Sequence, residues 1–328
     1  MSVLGFLKNM TLLARKVPGY HSLWTQPMAK VEMQDYELIS LIASVLYYKS
    51  HSGPMYLVAD RRGIEYLNSL RLTALYDKVV EMKVDTSINP KVFWAAGKIF
   101  AHAQMPCPSV SVDMDAIVWK PVYKTLDASA AVALHPEPSD WTPYTNKWPS
   151  IMGPWSDIDT NQVSPVNTGI LAFLNDKFKE DYTQACFSFM RDFSNSKLSS
   201  QKVDWTHSPS YIDEMVFAEQ MILALMAKKT GKKIKTVTSY DRFSDHMAEN
   251  SMVTHLWNSK RGYRDHSRAR DAFIHDMIDM LLHDFPDSRK FIASSGVATM
   301  AVRDSNTGVV RYSKQGEWVL PGEEIEHL

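Results

Sequence analysis

The stretch Ser109-Val110-Ser111-Val112-Asp113-Met114-Asp115-Ala116-Ile117-Val118 decides how the rest of the chain is read. A short apolar segment leads into two carboxylates one residue apart. A strand that stops there presents both acids at the carboxyl edge of a sheet, where open α/β folds bind ligands. Neighbouring carboxylates repel each other unless a positive group lies between them. A hard divalent cation does this, and Mg²⁺ or Mn²⁺ held by one or two carboxylates takes its remaining oxygens from water and substrate phosphates. The competing reading is a solvated strand end. Asp157-Ile158-Asp159 is an internal control, because it has the same spacing but lies among Trp148, Pro149, Gly153, Pro154 and Trp155 with no strand before it, and so reads as loop.

Working outward, apolar segments alternate with helical patterns through the first half. Tyr20–Trp24 reads as a strand ended by Thr25, Gln26 and Pro27, and Tyr36–Ser50 carries apolar residues at core-facing helical spacing. Pro54–Ala59 is a second strand ending in Asp60, followed by a helix over Arg62–Ser69 and a strand over Lys78–Val84. Pro90 opens a helix running to about Ala103, and Pro106 and Pro108 bring the chain into the Asp113 strand. This succession predicts a mostly parallel, Rossmann-like α/β sheet with helices on its faces. Its carboxyl edge gathers Thr25, Asp60 and the Asp113/Asp115 pair into one crevice.

The second half is more mixed. Ser129–Leu134 reads as a strand, and residues 136–165 form a long stretch rich in Trp, Pro, Asp and Ser, of the kind that is functional or disordered inside a compact domain. Trp141, Tyr144, Trp148 and Trp155, with the flanking Trp119, suit either sugar rings or burial under a flap. Val166–Phe173 reads as a strand whose entry carries Asn167 and Gly169. Helices follow over Phe178–Phe193 and Tyr211–Lys229, the second with Asp213 and Glu214 in its first turn, where acids also complement the helix dipole. Glu219, deeper in that helix, reaches the crevice only if its face looks at the sheet edge. His255 ends a short apolar strand and is followed five residues later by Lys260, so it reads either as a core histidine or as a further ligand beside a phosphate-binding cation.

The 328 residues suffice for a full core, with 45% hydrophobic and 22% charged residues, and the net charge of -1 gives no overall pull toward nucleic acid. Basic clusters at Lys228–Lys235 and Arg261–Arg270 are local. Cys107 and Cys186 lack a C-x-x-C partner, which indicates neither zinc site nor disulfide framework and suits a cytoplasmic location. Absence of repeats and linkers favours one continuous domain over residues 20–265, with an N-terminal extension (1–19) and a C-terminal helix and short strands (266–328) packed on it. The apolar run in Ser2–Lys16 is too short to span a membrane. It reads as a segment packed on the domain or as a basic amphipathic helix making peripheral membrane contact.

These pieces together resemble the GT-A class of nucleotide-sugar glycosyltransferases, including bacterial capsule, lipopolysaccharide, toxin-like and glycogenin-like families. The resemblance runs from about Tyr20 to Lys260. It rests on Asp113-Met114-Asp115, on the preceding Phe93-Trp94-Ala95-Ala96-Gly97-Lys98-Ile99, on Asn167-Thr168-Gly169, and on His255 followed by Trp257 and Lys260. It implies a UDP-linked donor and Mn²⁺ or Mg²⁺ bridging its phosphates. Asp113 then contacts the ribose and the metal shell, Asp115 coordinates the cation, and His255 completes the metal set.

Lys98 and Lys260 are implied near the diphosphate, Asn167 and Gly169 at the sugar and acceptor site, and Asp213 or Glu214 at donor or acceptor hydroxyls. Thr25 and Asp60 are implied as base and ribose contacts. The lysine follows the histidine by five positions instead of six, the glycine usual between them is missing, and Ala95 replaces an acid of toxin-like relatives. The implied reaction moves a sugar from a nucleoside diphosphate to a glycan, lipid-linked or protein acceptor, with retention favoured over inversion. The alternatives are a haloacid-dehalogenase-type phosphatase and a non-catalytic nucleotide-sugar-binding module.

Overall fold

The computed structural model describes residues 16–126, 129–139, 163–195, 212–239, 252–256, 259–305, 307–314 and 323–328. Its first half contains β1 (Gly19–Leu23), α1 (Asp35–His51), β2 (Met55–Ala59), α2 (Arg61–Ser69), β3 (Lys78–Glu81), α3 (Ala96–Gln104), β4 (Ser109–Val112), β5 (Ala116–Val118) and β6 (Ala131–Ala133). Next come β7 (Ile170–Phe173), α4 (Asp176–Ser194), α5 (Ile212–Val216), a π-helical turn (Phe217–Met221), α6 (Ile222–Thr230), β8 (Ile234–Thr236) and β9 (Val253–His255). The chain ends with α7 (Ser259–Asp265), α8 (Ser267–Asp284), α9 (Arg289–Ser295), β10 (Met300–Asp304), β11 (Val310–Ser313) and β12 (Glu323–His327).

Seven strands form one sheet in the order β3-β2-β1-β4-β7-β6-β8. The first four are parallel, β6 and β8 are parallel to each other, and β7 is antiparallel to both its neighbours, so β7 alone runs against the rest. The fold is therefore a mostly parallel α/β sheet flanked by helices. The strand order reverses between β1 and β4, which makes the end of β4 the place where such sheets open a crevice.

Both faces of the sheet are covered, as parallel strands require. Val110, Val112, Val132, Ile170 and Ala172 pack on the side of α1, α8 and α9, and Tyr20, Ala131, Ala133, Leu171 and Phe173 on the side of α3, α4 and α6. α1 is buried around most of its circumference because it lies between the sheet and α8, and fully buried Ile39, Leu41 and Ile42 each contribute about 1.5–3 kcal/mol relative to exposure. The Tyr47 hydroxyl donates to Asp284 at 2.6 Å, which ties α8 to α1. β10 pairs antiparallel with β11 and β12 in a separate small sheet.

In the second half the helix expected over Tyr211–Lys229 is interrupted by the π-helical turn and the strand expected over Val166–Phe173 begins at Ile170; two elements of the first half also differ from the sequence reading. The helix expected from Pro90 begins at Ala96, because Asn89 holds residues 90–93 in a turn: its carbonyl accepts from Val92 and Phe93 and its side chain from Lys91. The strand expected over Lys78–Val84 stops at Glu81, on the exposed sheet edge. The N-terminal segment expected to touch the domain or a membrane lies outside the described residues except for Lys16 and the residues after it. No described helix is long and apolar enough to cross a membrane. Asp157, Asp159, Trp141, Tyr144, Trp148, Trp155 and Trp257 also lie outside the described residues.

Candidate metal and ligand site

Asp113 follows the last residue of β4. Its N–H donates to the Gly169 carbonyl and its own carbonyl accepts from Ala116 N–H, both at 2.8 Å, so Asp113–Ala116 is a tight turn. There the chain leaves the main sheet, and β5 pairs antiparallel with β9, with Ala116 opposite His255. Leu256 N–H donates to the Asp115 carbonyl at 3.1 Å, which fixes that register beside the second acid. Because β7 runs backwards, its entry residues Asn167-Thr168-Gly169 arrive at the same sheet edge as the end of β4.

Each carboxylate divides its oxygens between an outer lysine and a shared histidine. Asp113 Oδ1 lies 2.7 Å from Lys98 Nζ, while Oδ2 lies 3.4 Å from His255 Nε2. Asp115 Oδ2 lies 2.9 Å from Lys260 Nζ, while Oδ1 lies 3.5 Å from the same Nε2. The two inner oxygens therefore face each other across the imidazole. One ligand atom from each of Asp113, Asp115 and His255 falls within 4.8 Å of the other two. Two hard oxygens and one imidazole nitrogen at this spacing fit a divalent cation such as Mn²⁺, and these three residues would hold it.

The electrostatics follow from these side-chain pairs, and a bound cation would take the place of the proton on His255 Nε2. Burial by itself raises a carboxyl, but Lys98 and His255 outweigh it at Asp113, and His255 and Lys260 outweigh it at Asp115, so both stay below the usual range. Burial lowers an imidazole, yet the Asp115 and Asp113 charges carry His255 up to about 9. The group is a set of charges that neutralise one another. Gly169 is needed for it to close: a Cβ there would meet His255 Cε1 at 2.5 Å and Nδ1 at 2.6 Å.

Other residues singled out from the sequence have partners within the protein. Lys98, almost fully buried, puts its ammonium on Asp113, on Glu219 at 2.6 Å and on the Thr168 carbonyl at 3.3 Å, not toward open space. Gly97 brings it there, because a Cβ at that position would lie 2.4 Å from the Trp24 Cβ. Thr25 and Asp60 close on each other. Both the N–H and the hydroxyl of Thr25 donate to the Asp60 carboxylate, which also caps α2 through Gly63 N–H, so the pair joins the end of β1 to α2 instead of presenting open polar atoms.

Asn167 accepts from Gly169 N–H at 2.9 Å and donates to Glu137 at 2.8 Å, so its amide shapes the loop that carries Gly169. Glu214 is buried on α5, and the side chain of Asp213 lies outside the described residues. Sequence reasoning did not single out Thr168 or Glu137, and it left Glu219 conditional. The available signal for Glu219 was a lone carboxylate within the mostly apolar run Met215–Met226.

The chain matches the model of a family of unknown function, DUF6734, over residues 21–294. No curated protein matches it. Among solved structures it is similar to the galactosyltransferase LgtC in complex with donor and acceptor sugar analogues, at 9% identity over 75% of this chain and 94% of that one, with a TM-score of 0.40. It is also similar to the glycosyltransferase GlyE in Streptococcus pneumoniae TIGR4, at 10% identity over 83% of this chain and 53% of that one, with a TM-score of 0.33. At these values the likeness to solved structures carries no argument about activity. The family match extends over most of the sheet, the acidic turn and His255, and the chain belongs to that family of unknown function, DUF6734.

Proposed function

We propose that the protein is a metal-dependent glycosyltransferase of GT-A architecture, moving a sugar from a nucleoside-diphosphate sugar, with UDP as the expected carrier, to an acceptor hydroxyl. The observation that supports this is the convergence of the Asp113 and Asp115 inner oxygens and His255 Nε2 at the carboxyl edge of parallel strands, with Lys260 beside them. Asp113, Asp115 and His255 would hold Mn²⁺ or Mg²⁺. A cation there supplies Lewis-acid stabilisation of the departing diphosphate. Lys260, at the rim and about one-third exposed, adds a positive charge where phosphate oxygens would lie. Lys98 is held by Asp113 and Glu219 and so acts from behind the site.

Transfer breaks the bond from the anomeric carbon to the diphosphate oxygen, which keeps the electron pair, and forms a bond from that carbon to the acceptor oxygen, whose proton leaves. Retention is the favoured outcome, because the His255/Lys260 arrangement resembles that of retaining families; inversion would call for Asp213, Glu214 or Glu219 as general base, and of these Glu219 is tied to Lys98 and Thr168.

Incubating the protein with UDP-sugars and manganese tests the reading. Slow release of UDP without acceptor, stopped by a chelator, is expected. Metal-dependent release of phosphate from simple esters in its place would favour the phosphatase, and chelator-sensitive binding of UDP-sugars without turnover would favour a binding module.

A further inference from the structure

The π-helical turn Phe217–Met221 interrupts what would otherwise be one helix from Ile212 to Thr230. Such turns widen the backbone and concentrate at functional sites. Two carbonyls in this one are taken up by α4: the Tyr182 hydroxyl donates to the Glu219 carbonyl at 2.8 Å and the Cys186 thiol to the Ala218 carbonyl at 3.0 Å. The turn is thus held from behind by side chains of a neighbouring helix. On its other side the buried Glu219 carboxylate meets the Lys98 ammonium and accepts from the Thr168 hydroxyl.

Lys98 therefore has three partners for its three N–H groups: Asp113 Oδ1, Glu219 and the Thr168 carbonyl. A lysine ammonium is a point charge on a flexible stem. Anchored by Asp113 alone, it would follow that carboxylate rather than fix it. Glu219 and Thr168 anchor it instead to a helix and to the sheet edge.

We propose that Glu219 is a positioning residue for the cation site: through Lys98 it holds the outer oxygen of Asp113, so that the inner oxygen stays turned toward Asp115 and His255. This role rests on reading Asp113, Asp115 and His255 as a divalent-cation site.

Calorimetric titration of the full chain with manganese alone, without nucleotide sugar, tests it on wild type, Glu219→Gln, Lys98→Met and the double variant. Each single variant is expected to bind at least about tenfold more weakly, the scale typical of residues that orient metal ligands. The double variant is expected to bind no worse than the weaker single, because both changes act on one carboxylate. Lys98→Met separates positioning from charge. Removing a cation beside the site would tighten binding if charge alone mattered, so tighter or unchanged binding overturns the proposal, as does unchanged binding in Glu219→Gln.

If Lys98→Met strands the buried Glu219 and fails to fold, the double variant removes both charges of the pair, and wild-type affinity in it overturns the role. Failure of the wild type to bind manganese would overturn the cation reading and this role together. Wild-type binding with unaltered variants overturns the role alone.

Discussion

His255 and His21 each lie on a short strand within reach of the acidic turn, and their surroundings differ in kind. His255 sits between two carboxylates, which carry it up to about 9 against the effect of burial. His21, on β1, is lowered to about 3 by burial in a neutral chain of hydrogen bonds. The Ser44 hydroxyl donates to the Ala116 carbonyl, so its oxygen accepts from His21 Nε2–H, and His21 Nδ1 accepts from the Tyr76 hydroxyl. His102, bonded to the Tyr20 hydroxyl, is likewise lowered to about 3 by burial. The neutral chain ends on the backbone of Ala116, directly after Asp115, and so braces the turn. The charged cluster ends on two carboxylate oxygens that share His255 Nε2, whose positive charge lies where a divalent cation would lie.

Four experiments can break or sharpen this contrast. Asp115→Asn removes a proposed ligand, so turnover and manganese affinity should both fall by at least the ~100-fold that outer partners of metal ligands can carry, while circular dichroism stays that of the wild type. Retained activity would place the cation elsewhere. Gly169→Ala should push the His255 ring aside and weaken manganese binding about 10–100-fold, read by calorimetry; an unchanged constant would mean that the ring position does not matter.

Ser44→Ala acts on the neutral chain. It strands His21 Nε2–H and the Ala116 carbonyl, and urea unfolding should show a loss of about 1–3 kcal/mol with manganese affinity shifted less than about threefold. A large fall in affinity with no loss of stability would reverse the roles assigned to the two clusters.

The remaining effect concerns acid and builds up gradually with each pH unit. His21 and His102 bind a proton in the unfolded chain near pH 6.5 but only near pH 3 when folded. Below pH 6.5 the unfolded state therefore binds more protons, and stability falls as pH falls, by up to ~1.4 kcal/mol per pH unit for each histidine. His135 is lowered by burial as well, so in chelator-treated protein His21→Gln should make that slope measurably shallower without abolishing it; an unchanged slope would show that His21 is not buried neutral.

Much of the fold was legible because period and length carried it. Leu38, Ile39, Leu41, Ile42 and Val45 mark α1, and the apolar runs ending at Leu23, Ala59 and Val112 mark parallel strands. The reversed direction of β7 was not legible, since no residue in Ile170–Phe173 encodes the partner of a strand. Asp113 could be picked out because it ends an apolar segment at the sheet edge, with Asp115 one residue on, whereas His255 ends β9, which reaches the site by pairing with β5 outside the main sheet. Thr25, Asp60 and Asn167 were picked by the same logic, yet their polar atoms satisfy one another or nearby backbone. Residue type and place along the chain do not reveal whether a polar group is already partnered. Lys98 shows the limit best: it was expected near the diphosphate, and its partner Glu219, which holds its ammonium beside Asp113, lies 121 residues later.

The central claim is that the inner oxygens of Asp113 and Asp115, with His255 Nε2, hold a divalent cation. Anomalous diffraction at the manganese edge, from crystals grown with manganese and UDP, tests it most directly. A single strong peak bounded by those three atoms is expected. Absence of a peak there, with Asp113 and Asp115 still paired to Lys98 and Lys260 as in the ion-free arrangement, would contradict it.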